Sequence, residues 1–225
     1  MNKIVCLSAI SMALLSFTGC EKEKIEEDSG FENGYQYVDL GLSVKWATFN
    51  VGATKPEEYG DYYAWGETET KNDYSWSTYK WSDETGNILI KYNTSIYFGM
   101  VDNKHVLDAE DDVAHVKWGG KWRMPTQSEQ EELYYWCTWT CTEQNGVNGY
   151  LVTSKKKGYT DRSIFLPANG YLDGTEAKQQ GEEGYFLSST LEMTHYIHFL
   201  NFDSFNPHFG IRTRDYGVGV RPVCP

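Results

Sequence analysis

Apolar and polar positions alternate in short stretches along most of the chain, and glycines repeatedly separate those stretches. The run from Tyr37 to Ala47 alternates well enough to predict a hairpin turning near Gly41. Gly60 to Gly66 predicts a second strand, aromatic and centred on Tyr62 and Tyr63. Residues 70–105 are polar and rich in Asn, Ser, Thr and Tyr, with little periodicity. They predict a long irregular excursion holding one short strand at Ile88 to Ile90. Further strand-like runs are Gly146 to Thr153, Ser163 to Ala168, Gly184 to Ser189 and the terminal Val218 to Val223.

Two segments carry helix signals. Asp108 to Val116 opens with acidic residues, which suit the positive end of a helix dipole, and Gly119-Gly120 marks its end. Pro125 precedes Thr126-Gln127-Ser128-Glu129, a capping box, and helix formers follow through Trp136. The pattern as a whole predicts an α+β fold: two helices, short antiparallel strands and long irregular loops. No internal repeat and no second composition regime appears, so residues 35–225 read as one domain.

The beginning of the chain follows different rules. Lys3 supplies a positive charge, Ile4 to Phe17 is almost purely apolar, and Thr18-Gly19-Cys20 follows. Residues 1–19 therefore read as a secretory signal, and its ending resembles a bacterial lipobox with lipid on Cys20. The alternative is an ordinary signal peptide followed by a chance cysteine. Residues 20–34 read as an acidic flexible tether, so the only expected membrane contact is the lipid on Cys20. Acidic residues directly after the lipidated cysteine resemble export signals of Bacteroidota lipoproteins. The expected location is thus the outer membrane, exposed at the cell surface.

Charge and composition narrow the function classes. A formal net charge of −12 argues against nonspecific binding to nucleic acid or anionic membrane, which needs basic patches. With 16% aromatic residues the chain can fill a core and is no disordered segment. Setting aside Cys6 and Cys20 leaves Cys137, Cys141 and Cys224. In an exported protein three cysteines predict one disulfide and one free thiol, with either Cys137 or Cys141 as partner of Cys224. No His or second Cys pair lies at ligand spacing, so neither metal nor cofactor is expected.

Several blocks carry a family resemblance: Tyr37 to Ala47, Gly60 to Glu67, Trp118 to Thr126, Ile164 to Ala168, Gly170-Tyr171 and Val220 to Val223. In this order they resemble the Fibrobacter succinogenes major paralogous domain. The resemblance implies a C-type-lectin-like fold, chain ends paired in one sheet, and loops presenting a ligand-binding face. It implies neither sugar binding nor a catalytic activity. The Glu-Pro-Asn or Gln-Pro-Asp loop of calcium-dependent lectins does not occur; the nearest match, Asn206-Pro207-His208, has no carboxylate. Asp108, Glu110, Asp111 and Asp112 could attract a cation, but helix-start acids explain them more simply. Ser188-Ser189-Thr190 lacks the glycines of a nucleophile elbow. Formylglycine-generating oxidases use a cysteine pair on a related lectin-like fold, which makes Cys137 and Cys141 a minor enzymatic alternative.

The C-terminal segment is the most informative. Thr194 to Pro225 contains no Glu, Lys, Gln, Met or Trp, the types that codons ending in a pyrimidine after any two bases cannot encode. That composition is compatible with the adenine-directed diversification known for several C-type-lectin-like proteins; chance in an Asn- and Tyr-rich loop is the plainer explanation. Alternation places Leu200 and Phe202 in the core and turns Asn201 and Asp203 outward. The expected ligand face comprises Tyr196, His198, Asn201, Asp203, Phe205, Asn206, His208, Phe209, Arg212, Arg214 and Tyr216. Such residues combine rigid aromatic area with adaptable hydrogen bonding. Arg221 reads as structural. The resulting expectation is a calcium-independent binding module for a protein or glycan, with a structural or assembly subunit of a surface appendage as the alternative.

Overall fold

The computed structural model describes residues 29–225; residues 1–19, Cys20 and the first part of the expected tether lie outside the described residues. In chain order the structure begins with β1 (Ser29–Glu32), β2 (Tyr35–Val38), β3 (Lys45–Ala47), α1 (Val113–Trp118) and α2 (Gln127–Trp136). Next come β4 (Cys137–Gln144), β5 (Val147–Ser154), β6 (Ser163–Pro167), β7 (Tyr171–Asp173) and β8 (Glu176–Lys178). The chain closes with β9 (Gly184–Met193), β10 (Tyr196–Phe202), β11 (Pro207–Thr213), β12 (Gly217–Val218) and β13 (Val223–Cys224). The strands form small antiparallel sheets in the orders β1-β2-β3-β13, β4-β5-β6, β12-β7-β8 and β11-β10-β9. With its two α-helices, the fold is α+β. The C-terminal strand pairs with β3, so both ends of the described chain share one sheet.

Regular structure reaches into the expected tether. Ser29 to Glu32, expected in the tether, pairs with β2 through the turn Asn33-Gly34. Both turn residues have positive φ, 45° and 86°, as a tight hairpin turn of this kind requires. The turn is fastened to the Trp118–Trp122 block: the Trp122 indole donates to the Glu32 carbonyl at 2.7 Å. Trp118 and Trp122 are buried on either side of a surface turn at Gly119 and Gly120, both at positive φ.

Two expected strands shrink to single bridges, Tyr63 with Val218 and Leu89 with Ser82. For the first, Gly60 and Gly66 both turn at positive φ, which leaves too little extended backbone for a ladder. The expected terminal strand splits into β12 and β13 around Pro222, which has no amide hydrogen to donate.

The first helical segment divides as well. Ala109–Asp111 is a 3-10 turn, and Asp112 then caps α1 by accepting the His115 amide at 3.1 Å. The same carboxylate accepts the Met124 amide at 2.8 Å. The capping box of α2 forms as its residues predict, with Thr126 and Glu129 each accepting the other's amide. Arg123 adds a bidentate pair to Glu129 at 2.7 and 2.5 Å. Burial pushes the Glu129 carboxyl up, but Arg123 and the Thr126 amide outweigh it and hold it below its ordinary value. A depressed folded-state value stabilises the protein above the unfolded carboxyl pKa of about 4.3, and that stabilisation disappears as pH falls through the folded value. Glu129→Gln is therefore expected to lower stability at pH 7 and to flatten its decline below about pH 4.5. Urea unfolding from pH 3 to 7 checks this; parallel curves for both proteins would contradict it.

The sheet β11-β10-β9 lies between two hydrophobic cores. Ile197 and Phe199 of β10 enter one, with Trp65, Trp122 and Leu187. Leu200 and Phe202 enter the other, with Trp46, Leu133 and Phe186. Strand alternation thus feeds two cores instead of a core and solvent. Opposite β10, the register of β9 breaks between Leu187 and Leu191. Ser188 in that break donates its hydroxyl to the His198 carbonyl at 2.9 Å, a structural position.

Arg221 is fully buried and joins several elements. Its guanidinium donates to Asn50 Oδ1 at 2.8 Å and to the carbonyls of Ala47, Thr48 and Phe165 at 3.0–3.1 Å. Burial pushes its pKa down to about 9, so it still carries its proton at neutral pH. This bears out a structural role for Arg221.

Candidate binding cleft

A cleft of about 610 Å³ opens between the β4-β5-β6 sheet, the turn before β9 and the turn joining β10 to β11. Its volume falls within the range of about 300–1,000 Å³ usual for small-molecule and side-chain sites. Tyr150 of β5 and Phe202 of β10 wall it with rings 4.8 Å apart. Phe202 can lie there because its pairing partner is Gly184: a Cβ at that position would fall 2.2 Å from the Phe202 ring. Glu182, Glu183 and Asp203 bring carboxylates to the cleft, and Cys141 and Asn148 complete much of its wall. At the mouth, Phe205 is 86% exposed.

The turn from Asp203 to Asn206 is built by Asp203 itself. One carboxylate oxygen accepts the Phe205 amide at 2.7 Å and the Asn206 amide at 3.1 Å. These two amides hold the Asp203 carboxyl below its ordinary value, so it is ionised at neutral pH. Glu183 accepts from the Gln179 amide at 2.9 Å and from the Tyr185 hydroxyl. The Asn148 amide is already committed to the Gly181 carbonyl at 3.0 Å.

The structure distributes the expected ligand-face residues unevenly. Asp203 and Phe205 line the cleft, and Asn206 stands exposed in the same turn. Tyr196 is partly exposed at the far end of β10, opposite Met193 and Thr213. Asn201 is buried, not outward, because both faces of β10 are covered; its amide meets His208 Nε2 at 2.5 Å. His198 is likewise buried, its ring 5.1 Å from Phe209, and burial pushes its pKa down. His208 and Phe209 belong to β11 rather than to a loop and are half-buried. Arg212 turns inward, with its guanidinium 3.8 Å from the Tyr171 ring centre and 5.0 Å from that of Tyr216. Arg214 is fully buried and fastens the carbonyls of Lys91, Tyr92 and Thr194. It forms no part of an exposed face.

Glu182, Glu183, Asn148 and Tyr150 were missing from the expected face. Glu182 and Glu183 carried a local signal: an acidic pair bounded by Gly181 and Gly184. Tyr150 did not, since only the register of β5 against β4 and β6 brings it to the β10 turn.

The three described cysteines are free thiols, which replaces the expected disulfide. Neither expected partner meets Cys224: Cys224 belongs to one hydrophobic core, Cys137 to the other, and Cys141 lies at the cleft. Cys141 lines the cleft, and Cys137 packs in the core beside Leu133; the two do not share a cleft. Cys224 is held by the β13 ladder, which secures the chain end without a covalent bond. Burial pushes the Cys137 thiol up to about 12 and the Cys224 thiol up to about 11. Among these three, alkylation at pH 8 is expected to label Cys141 first, and the other two only in denaturant. Peptide mass spectrometry reads the order, and equal labelling of Cys137 in the native state would contradict it.

The acidic group Asp108, Glu110 and Asp111 lies close enough to hold a cation. Lys91 already supplies one: its ammonium is 2.8 Å from Asp108, 3.4 Å from Glu110 and 2.5 Å from Asp111. The cluster is therefore an ion-pair network that pins the 70–105 excursion to the 3-10 turn before α1. No helix among the described residues is long and apolar enough to cross a membrane. Comparison with protein-family models, with curated proteins and with solved structures found no match.

Proposed function

We propose that this chain is a binding module with a C-type-lectin-like fold, related to the major paralogous domain of Fibrobacter succinogenes. It recognises a protein or glycan through the cleft and the β10–β11 turn, without calcium. The observation that carries this reading is Phe205, a large apolar ring held in water at the mouth of an aromatic-walled cleft. A rigid ring so placed contributes strongly when a ligand covers it. Pairing of both ends of the described chain in one sheet also supports the fold assignment. The leader and Cys20 supply the rest of the proposal from sequence: a lipid anchor and display on the outer membrane surface.

The test is a glycan and surface-protein array probed with the wild-type chain and a Phe205→Ala/Asn206→Ala variant. A loss of about tenfold or more in the variant is expected for any specific ligand. Equal binding by both proteins would remove this turn from the reading. One observation favours an assembly subunit instead: β4 is an eight-residue edge strand, mostly exposed, whose outer edge is unpaired among the described residues. Such an edge can accept a strand from another chain. Self-association abolished by Thr140→Pro, with array binding absent, would support that second reading.

A further inference from the structure

We infer that the cleft receives a donor-only cation on an apolar stem: a lysine or arginine side chain presented by a protein partner. The inference rests on the proposed binding role and narrows its ligand to a protein.

Three features select that chemistry. Among the described residues the charged groups lining the cleft are the carboxylates of Glu182, Glu183 and Asp203, with no lysine or arginine beside them. Every charged group there is thus a hydrogen-bond acceptor. Its side-chain donors are all uncharged: the Ser204 hydroxyl, the Cys141 thiol, the Tyr150 hydroxyl in the wall, and the Asn148 amide, one of whose two hydrogens is engaged by the Gly181 carbonyl. The three carboxylates therefore leave an excess of acceptors, which a sugar hydroxyl, donor and acceptor at once, matches less well than a cation does. An ammonium offers three donors and a guanidinium five, and neither has an acceptor to satisfy. The walls supply the second feature. The rings of Tyr150 and Phe202, and Phe205 at the rim, suit both the methylene stem and the cation, since ring faces attract positive charge.

The third feature is the division of labour among the carboxylates. Glu183 is held by Gln179 and Tyr185, and Asp203 is fixed by its own turn. Glu182 is exposed and lies between Gly181 and Glu183 in the turn before β9. It is the carboxylate best able to follow an entering cation. Fixed acceptors with one adjustable neighbour give charge-assisted hydrogen bonds at little conformational cost.

The test titrates the full chain with capped pentalysine and pentaarginine, with capped pentaglutamine and chitotetraose as uncharged probes. Glu182→Gln/Asp203→Asn removes two cleft charges while the asparagine can still accept the turn amides. Glu84→Gln/Asp161→Asn removes the same charge at exposed positions that do not line the cleft. The expected result is saturable binding of a basic peptide, weakened at least about tenfold by the cleft variant and by Phe205→Ala, and little changed by the control variant. Circular dichroism and thermal melting confirm that each variant folds. Equal weakening by both double variants would mean general attraction to an acidic chain and would overturn the inference, as would no binding of either basic peptide. If array ligands depend on Phe205 while basic peptides fail, the binding reading stands and the cation inference falls. If nothing depends on Phe205, both fall.

Discussion

Arg221→Met is expected to destabilise the domain by at least about 3 kcal/mol, a large share of the roughly 5–15 kcal/mol that holds a domain of this kind together. Methionine fills much of the same space, so the cost comes from the hydrogen bonds. The Ala47, Thr48 and Phe165 carbonyls and the Asn50 side chain would all lose a charged donor inside the protein. Arg221→Lys should recover little of the loss, because an ammonium cannot reproduce the planar fork that serves acceptors on separate elements. Urea unfolding of the three proteins measures the difference; a wild-type midpoint for Arg221→Met would show that these contacts carry no net stability.

Arg214→Ala is expected to cost about 2–4 kcal/mol and to loosen one region in particular. The side chain gathers carbonyls from Lys91 and Tyr92 in the long excursion and from Thr194 in the β9–β10 turn. Its guanidinium also faces the Trp65 ring at 5.7 Å and the Tyr79 ring at 5.9 Å. Without it, two segments with little regular structure lose a shared fastening. Amide hydrogen exchange should accelerate around residues 91–94 and 194–196 before it does in α2 or β5. Retained stability with a selective loss of ligand binding would return Arg214 to the recognition face.

The two arginines illustrate how far the sequence could be read. Local signals with a local cause were legible: the capping box at Thr126, the glycine turn at Gly119-Gly120, and the hairpin from Tyr37 to Ala47. Asn33-Gly34 was equally legible, being a strong hairpin dipeptide flanked by aromatic residues, yet the acidic stretch before it pointed to a tether. The α+β character followed from such pieces. What failed was any inference that depended on how many faces of a strand meet solvent. Alternation in β10 is real, but its two sides feed different cores, so Asn201 is buried where an outward position was expected, and His198 is buried where a ligand contact was expected. Arg214 looked like its neighbours in the segment because nothing local distinguishes a buried guanidinium from an exposed one. The cleft was half visible for the same reason. Asp203 and Phe205 lie in the segment that drew attention by composition, while Tyr150 and Glu182 reach them only through tertiary register.

The first hairpin also has a mechanical consequence. Ser29 pairs with Val38 at the open end of the β1–β2 hairpin, and Glu32 pairs with Tyr35 at the turn. A force applied on the N-terminal side of Ser29, with the domain held by a ligand, loads the ladder at its open end. The bonds would then break one after another, as in peeling, instead of yielding together in shear. β1 is an edge strand, so it could detach while β2, β3 and β13 stay paired. Under tension the molecule would lengthen by a few residues of chain before its cores began to open, which lowers the force on the cleft at any given extension.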